Sequence, residues 1–148
     1  MSTDRIERSV LLRASRSKVW RALANPEEFG SWFGVRLEGQ FTPGARVTGR
    51  ITIPGYDHLS FELFVDTVEP ESVFAYRWHP YAIDPNVDYS DEPTTLVEFH
   101  LADVGEGTKL TVTESGFDQI PPTRRDEAFR MNDQGWAGQL VNIERYVT

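Results

Sequence analysis

The last stretch of the chain constrains its fold more than any other. Phe129, Trp136, Leu140, Ile143 and Val147 recur at spacings of seven, four, three and four, which draws one continuous apolar stripe along a helix. Pro121-Pro122 prevents an earlier start, and Thr123 with Asp126 three residues on forms a variant capping box. About 24 residues at 1.5 Å each make a helix of roughly 36 Å. A stripe that long needs an extended apolar surface to cover. Gly135 and Gly138 interrupt this helix, and a helical glycine costs ~1 kcal/mol relative to alanine. The expected reason is close packing, with small positions letting backbone or bulky side chains approach the helix.

The rest of the chain supplies the surface. Residues 5–13 read as a first strand, with Ile6, Arg8, Val10 and Leu12 in phase. Ser15 or Ser17 can cap a short helix whose apolar face is Val19, Trp20, Leu23 and Ala24, and Asn25-Pro26 breaks it. A second short helix carries Phe29, Trp32 and Phe33 and ends at Gly34. Period-two patterning then predicts strands at about 35–41, 45–53, 59–68, 72–79, 94–102 and 108–115. Hairpin-length turns join most of them, so the sheet is expected to be antiparallel. PYAIDPNVDYSDEP, 80–93, has three prolines, four acids and no period, and reads as a long loop. The expected class is α+β: a curved antiparallel sheet of six or seven strands wrapped around the C-terminal helix. The order is strand, two short helices, six strands, long helix, in a single domain over 1–148.

Several function classes are excluded or disfavoured. The chain has no cysteine, so disulfides and thiolate chemistry are absent. MSTDRIERSV is not a signal peptide and no run approaches the ~18 apolar residues of a membrane span, so a cytoplasmic location is expected. The net charge of −8 argues against nucleic acid. Charge is uneven: six basic residues face one acid between Arg5 and Arg21, and seven acids stand between Trp78 and Thr108 without a cation. His58, His79 and His100 lack metal spacing, no nucleophile elbow or phosphate loop is present, and no cofactor or metal is expected.

Candidate site residues follow from phase. Glu114 alternates with Leu110 and Val112; if these face inward it does too, as a buried carboxyl with a raised pKa. If the strand has already left the sheet, it is exposed. On a helical wheel Asn132 and Arg125 fall within ~40° of Trp136, on the apolar stripe. Asn132 could project into an interior or be solvated, and Arg125 is expected to overhang the sheet. Phe74, Tyr76 and Trp78 share one strand face, opposite Arg77 and His79, and are expected to be core or cavity lining. Trp32 and Phe33 are core residues or a gate from the second helix.

VLLRASRSKVWRAL (10–23), EFGSWFG (28–34), TVEPESVFAYRWHP (67–80) and TVTESGF (111–117), followed by the GW of the last helix, together resemble the START-like, or SRPBCC, superfamily with its helix-grip fold. Within it they resemble the branch of the activator of the heat-shock-protein-90 ATPase. The resemblance implies a deep, largely apolar cavity between sheet and long helix, and brings no conserved catalytic set. The co-chaperone that names the branch has a separate N-terminal domain absent here, so direct ATPase activation is not expected.

The leading expectation is a non-catalytic domain that holds a small apolar or aromatic molecule. Trp32, Phe33, Tyr76, Trp78, Phe117, Phe129 and Trp136 would be its walls, and Glu114 and Asn132 would orient the ligand. Two other readings stand beside it. One is a cyclase or hydratase with Glu114 as general acid or base; the other is a stress-linked chaperone partner. A monomer or homodimer is expected.

Overall fold

Ser15 separates the first strand from the first helix: its hydroxyl accepts from the Lys18 amide at 3.2 Å. The computed structural model describes residues 4–84 and 86–148. The first three residues of the stretch tested for a signal peptide, and Pro85 of the 80–93 loop, lie outside the described residues. Strand β1 (Arg5–Leu12) leads into helices α1 (Arg16–Ala24) and α2 (Pro26–Phe33). Asn25 closes α1 and caps α2, its side-chain oxygen accepting from the Glu27 and Glu28 amides at 2.9 and 3.1 Å. Strands β2 (Val35–Glu38), β3 (Arg46–Ile51), β4 (Ser60–Glu69), β5 (Val73–Trp78), β6 (Thr95–Val104) and β7 (Gly107–Ser115) follow, then a 3-10 turn (Phe117–Gln119) and helix α3 (Pro122–Val147). β2 stops earlier than its apolar pattern suggests because Gly39 turns the chain at φ 116°.

The seven strands form one antiparallel sheet in the order β1-β7-β6-β5-β4-β3-β2. A register shift between Val65 and Thr67 of β4 is the kind of irregularity that bends a sheet. The inner face packs on α2 and α3 around an apolar core that includes Val19, Leu23, Phe29, Leu63, Phe74, Val97, Phe99, Val112, Trp136 and Ile143. This is the helix-grip architecture. No helix among the described residues is long and apolar enough to cross a membrane.

One row of paired residues crosses five strands on the inner face: Ile6 on β1, Glu114 on β7, Val97 on β6, Tyr76 on β5 and Val65 on β4. All five are buried. Glu114 is therefore a carboxyl set into an otherwise apolar and aromatic surface.

Two expectations about α3 need correction. The helix begins at Pro122, one residue before the expected capping threonine, and no side chain caps it. Proline at the first helical position makes a capping box at Thr123 unnecessary, since its ring is already set to a helical φ. The Arg124 and Arg125 amides both reach the Pro121 carbonyl at 3.0 Å. The close-packing explanation of Gly135 and Gly138 also fails. Both are exposed, and a Cβ added at either would meet nothing within 4 Å. At 100° per residue Gly138 lies about 200° from Trp136, on the solvent side of the helix. Nothing in the structure explains these two glycines. Close approach occurs elsewhere: a Cβ on Gly30 of α2 would lie 2.2 Å from the Val35 carbonyl oxygen.

Gly135→Ala and Gly138→Ala should therefore each stabilise the protein by about 1 kcal/mol, a rise of about 2–4 °C in Tm. Gly30→Ala should lower Tm. Thermal melts of the three variants check this, and a fall in Tm for both helix variants would restore the close-packing explanation.

Candidate functional site

Strand β7 delivers Glu114 to the interior because Leu110, Val112 and Glu114 alternate inward as their phase requires. The carboxyl is fully buried. Four side chains from three elements enclose it. Trp78, at the end of β5, donates its indole N–H to Oε2 at 2.8 Å, and Thr95, at the start of β6, donates its hydroxyl to the same oxygen at 2.5 Å. From α3, Trp136 donates its indole N–H to Oε1 at 2.8 Å, and the Asn132 amide reaches Oε1 and Oε2 at 3.0 and 3.1 Å. Asn132 and Trp136 stand four residues apart, so one helix turn presents both donors. Trp78 and Thr95 are directly paired across β5 and β6.

All the donors are neutral. Burial pushes the Glu114 carboxyl above its usual range, and the hydrogen bonds from Thr95, Trp136, Trp78 and Asn132 hold part of that rise back. A carboxylate has about four lone-pair positions, and the five contacts occupy them.

Around this carboxyl lies a continuous group of rings. Trp78 and Trp136 are 5.9 Å apart, and Phe33 lies 6.1 Å from each. Phe61 packs against Phe33 and Trp78, Phe99 against Trp136 and Tyr76, and Phe29 stacks on Phe33 at 4.8 Å. Trp32 closes the α2 side and donates its indole N–H to the Ala22 carbonyl at 2.8 Å. Tyr76 is enclosed by Phe29, Phe74, Trp78 and Phe99. Its hydroxyl is buried and has no hydrogen-bond partner. Burial raises its pKa well above the usual phenol value, and the nearby Glu114 charge adds to the rise.

The structure thus gathers Trp32, Phe33, Tyr76, Trp78, Glu114, Asn132 and Trp136 into one interior site. Phe117 and Phe129 pair with each other, 5.1 Å apart, where the 3-10 turn meets α3. Arg125 donates to the Ile120 and Asp118 carbonyls of that turn at 3.1 and 2.8 Å, so it secures a joint and does not face the site. The rings between sheet and α3 touch one another. A surface groove of about 390 Å³ lies elsewhere, between β1 and α3, lined by residues such as Arg8, Val10, Leu140 and Val141.

Two participants escaped sequence reasoning. Thr95 carried a usable signal, being in phase with Val97 and Phe99. Arg124 carried none, because its role is set by the loop it meets. It pairs with Glu92 at 2.7 Å, donates to the Pro80 carbonyl at 2.7 Å and lies 4.8 Å from the centre of the Tyr89 ring. His79 contacts the Glu92 carbonyl at 3.0 Å. The 80–93 loop is thereby fastened to the first turn of α3, and its two ends lead into Trp78 and Thr95, both donors to Glu114.

A family model described as Activator of Hsp90 ATPase homolog 1-like protein matches residues 13–148. No curated protein matches the chain. Among solved structures, protein MLL2253 from Mesorhizobium loti superposes with a TM-score of 0.75 at 22% identity, over 96% of this chain and 95% of that one. The Aha1 dimer from Colwellia psychrerythraea gives 0.69 at 19% identity, over 97% and 95%. DynU16, from the dynemicin biosynthetic locus, gives 0.74 at 26% identity, over 97% of this chain and 46% of that one.

The raised Glu114 pKa fixes the sign of a pH effect. Between the ordinary value of 4.5 and the raised one, the folded chain holds a proton that the unfolded chain has released. This contribution to stability is full below the ordinary value and is lost as pH rises through the folded one. The Tm of the wild type relative to Glu114→Gln should therefore fall as pH increases above 4.5. Parallel melts from pH 4.5 to 8 read this difference, and a flat or rising difference would contradict it.

Proposed function

The chain belongs to the family of Activator of Hsp90 ATPase homolog 1-like proteins, and from that premise we propose that it is a small-molecule binding domain. Its ligand is apolar or aromatic and is held between the inner face of the sheet and α3. The observation that carries this reading is the enclosed Glu114 carboxyl at the centre of an aromatic interior. Ligand sites are mostly apolar with a few placed polar groups, and buried titratable groups with shifted pKa values gather at functional sites. Trp32, Phe33, Tyr76, Trp78 and Trp136 are the walls, with Phe117 and Phe129 continuing them toward the start of α3.

Glu114 and Asn132 act as a frame that fixes the separation of sheet and helix, so that a ligand meets a defined outline. Ring–ring contacts of the free protein give way to ring–ligand contacts on binding. Glu114 is not a general acid or base in this reading. Such a group needs an oxygen within reach of the substrate, and both of its oxygens are already taken. The acidic loop, whose ends lead into Trp78 and Thr95, is fastened to α3 by Arg124.

Native mass spectrometry of freshly purified protein should show one small molecule per chain that is lost on denaturation. Asn132→Ala should reduce its retention, because the frame loses the donor that bridges both Glu114 oxygens. A bare chain that also fails to bind neutral bicyclic aromatics at 1:1 up to their solubility limit would overturn the reading.

A further inference from the structure

Among the described residues, the polar groups of the interior are matched, with one exception. The Trp32 indole is spent on Ala22, the Trp78 and Trp136 indoles and the Thr95 hydroxyl on Glu114, and the Thr108 hydroxyl on the Ala14 carbonyl at 2.9 Å. Arg16 and Arg124 each carry a nitrogen without a hydrogen bond, but both belong to ion-paired side chains nearer the surface. The exception within the core is the Tyr76 hydroxyl, which is completely buried and has no partner. A buried donor left unmatched destabilises the fold, and phenylalanine would fill the same outline without that cost.

Glu114 does not serve as the missing partner. It stands on the same inner row as Tyr76, two strands away, with Val97 of β6 between. Its lone pairs are already occupied by Thr95, Trp78, Trp136 and Asn132. The Tyr76 O–H is therefore a free donor beside a saturated acceptor. Its raised pKa keeps the proton in place.

We propose that the Tyr76 hydroxyl is the hydrogen-bond donor to the ligand, and that the ligand is a neutral aromatic carbonyl compound of the aryl ketone or quinone class. This rests on the ligand-binding reading above and names its ligand. The carbonyl oxygen accepts from Tyr76, and the ring system lies against Phe29, Trp78 and Phe99, which already surround that side chain. Neutrality follows from the lining. An anion would leave water for an interior whose ionisable groups are an acid and a phenol. A cation would find the buried Glu114 carboxyl already saturated.

The test compares two neutral probes of one shape: 2-acetylnaphthalene, and 2-isopropenylnaphthalene, in which a CH2 group replaces the carbonyl oxygen. Calorimetric titration of the full chain should show the ketone binding about tenfold more tightly than the alkene. Tyr76→Phe should bring the two affinities together. The ligand-free Tyr76→Phe protein should melt at or above the wild-type temperature, since it loses an unmatched hydroxyl. Equal affinities in the wild type, or a ketone preference that survives Tyr76→Phe, would overturn the proposal. So would a lower Tm for ligand-free Tyr76→Phe, which would mean that the hydroxyl serves the fold. Alkene binding without ketone preference removes this inference and leaves the binding reading intact. Failure of both probes to bind removes this inference, and removes the binding reading as well when the purified chain carries no small molecule of its own.

Discussion

A single buried carboxyl sets how the long helix meets the sheet. Glu114 draws one donor from β5, one from β6 and two side chains from α3 to a single point. Apolar contacts alone would let α3 slide or rotate by fractions of a turn, because dispersion and area burial have little direction. Hydrogen bonds to a fully enclosed acceptor do not tolerate that, since each one lost leaves a buried polar atom unmatched. The stripe on α3 makes packing on the sheet favourable, and Asn132 with Trp136 selects the register in which it happens.

The same point organises the surroundings. Trp78 and Thr95 flank the 80–93 loop, so the ends of a long acidic segment are anchored in the core. Its charge is met locally by Arg124 from the first turn of α3. From the basic N-terminal stretch, Arg8 of β1 reaches across to Asp133 on α3 at 2.9 Å, next in sequence to the Asn132 that holds Glu114. Arg16 of α1 lies 3.6 Å from both Glu71 and Asp103. The uneven charge of the sequence is partly resolved inside the fold, by pairs that join segments distant along the chain.

Much of this was legible beforehand, and the divide follows the range of the interaction. Strand phase allowed Glu114 to face inward but left exposure at the strand end open, and helical phase put Asn132 beside Trp136 on the stripe. Both are local periodicities. Asn25-Pro26 and Gly34 marked helix ends through local backbone chemistry. That the Trp78 and Trp136 indoles and the Thr95 hydroxyl converge on one carboxyl depends on cross-strand register and helix docking, which no single segment encodes. Arg124 was invisible for the same reason. For Gly138 of α3, a local signal argues against the close packing expected of it. Set against Trp136 on the same wheel that located Asn132, Gly138 lies on the opposite side, where no packing reason can apply.

Trp78, Trp136 and Tyr76 show what separates frame from site. All three are large amphipathic rings on the inner surface, and all carry one polar hydrogen that burial obliges to find an acceptor. Two of them converge on Glu114 and complete it. The third stands on the same row with its hydroxyl unmatched. Had the interior been selected for stability alone, phenylalanine would suit that position better, since Phe29, Phe74 and Phe99 already surround it with apolar rings. The tyrosine departs from the rule that the rest of the core obeys, and departures of that kind are where binding chemistry is expected to lie.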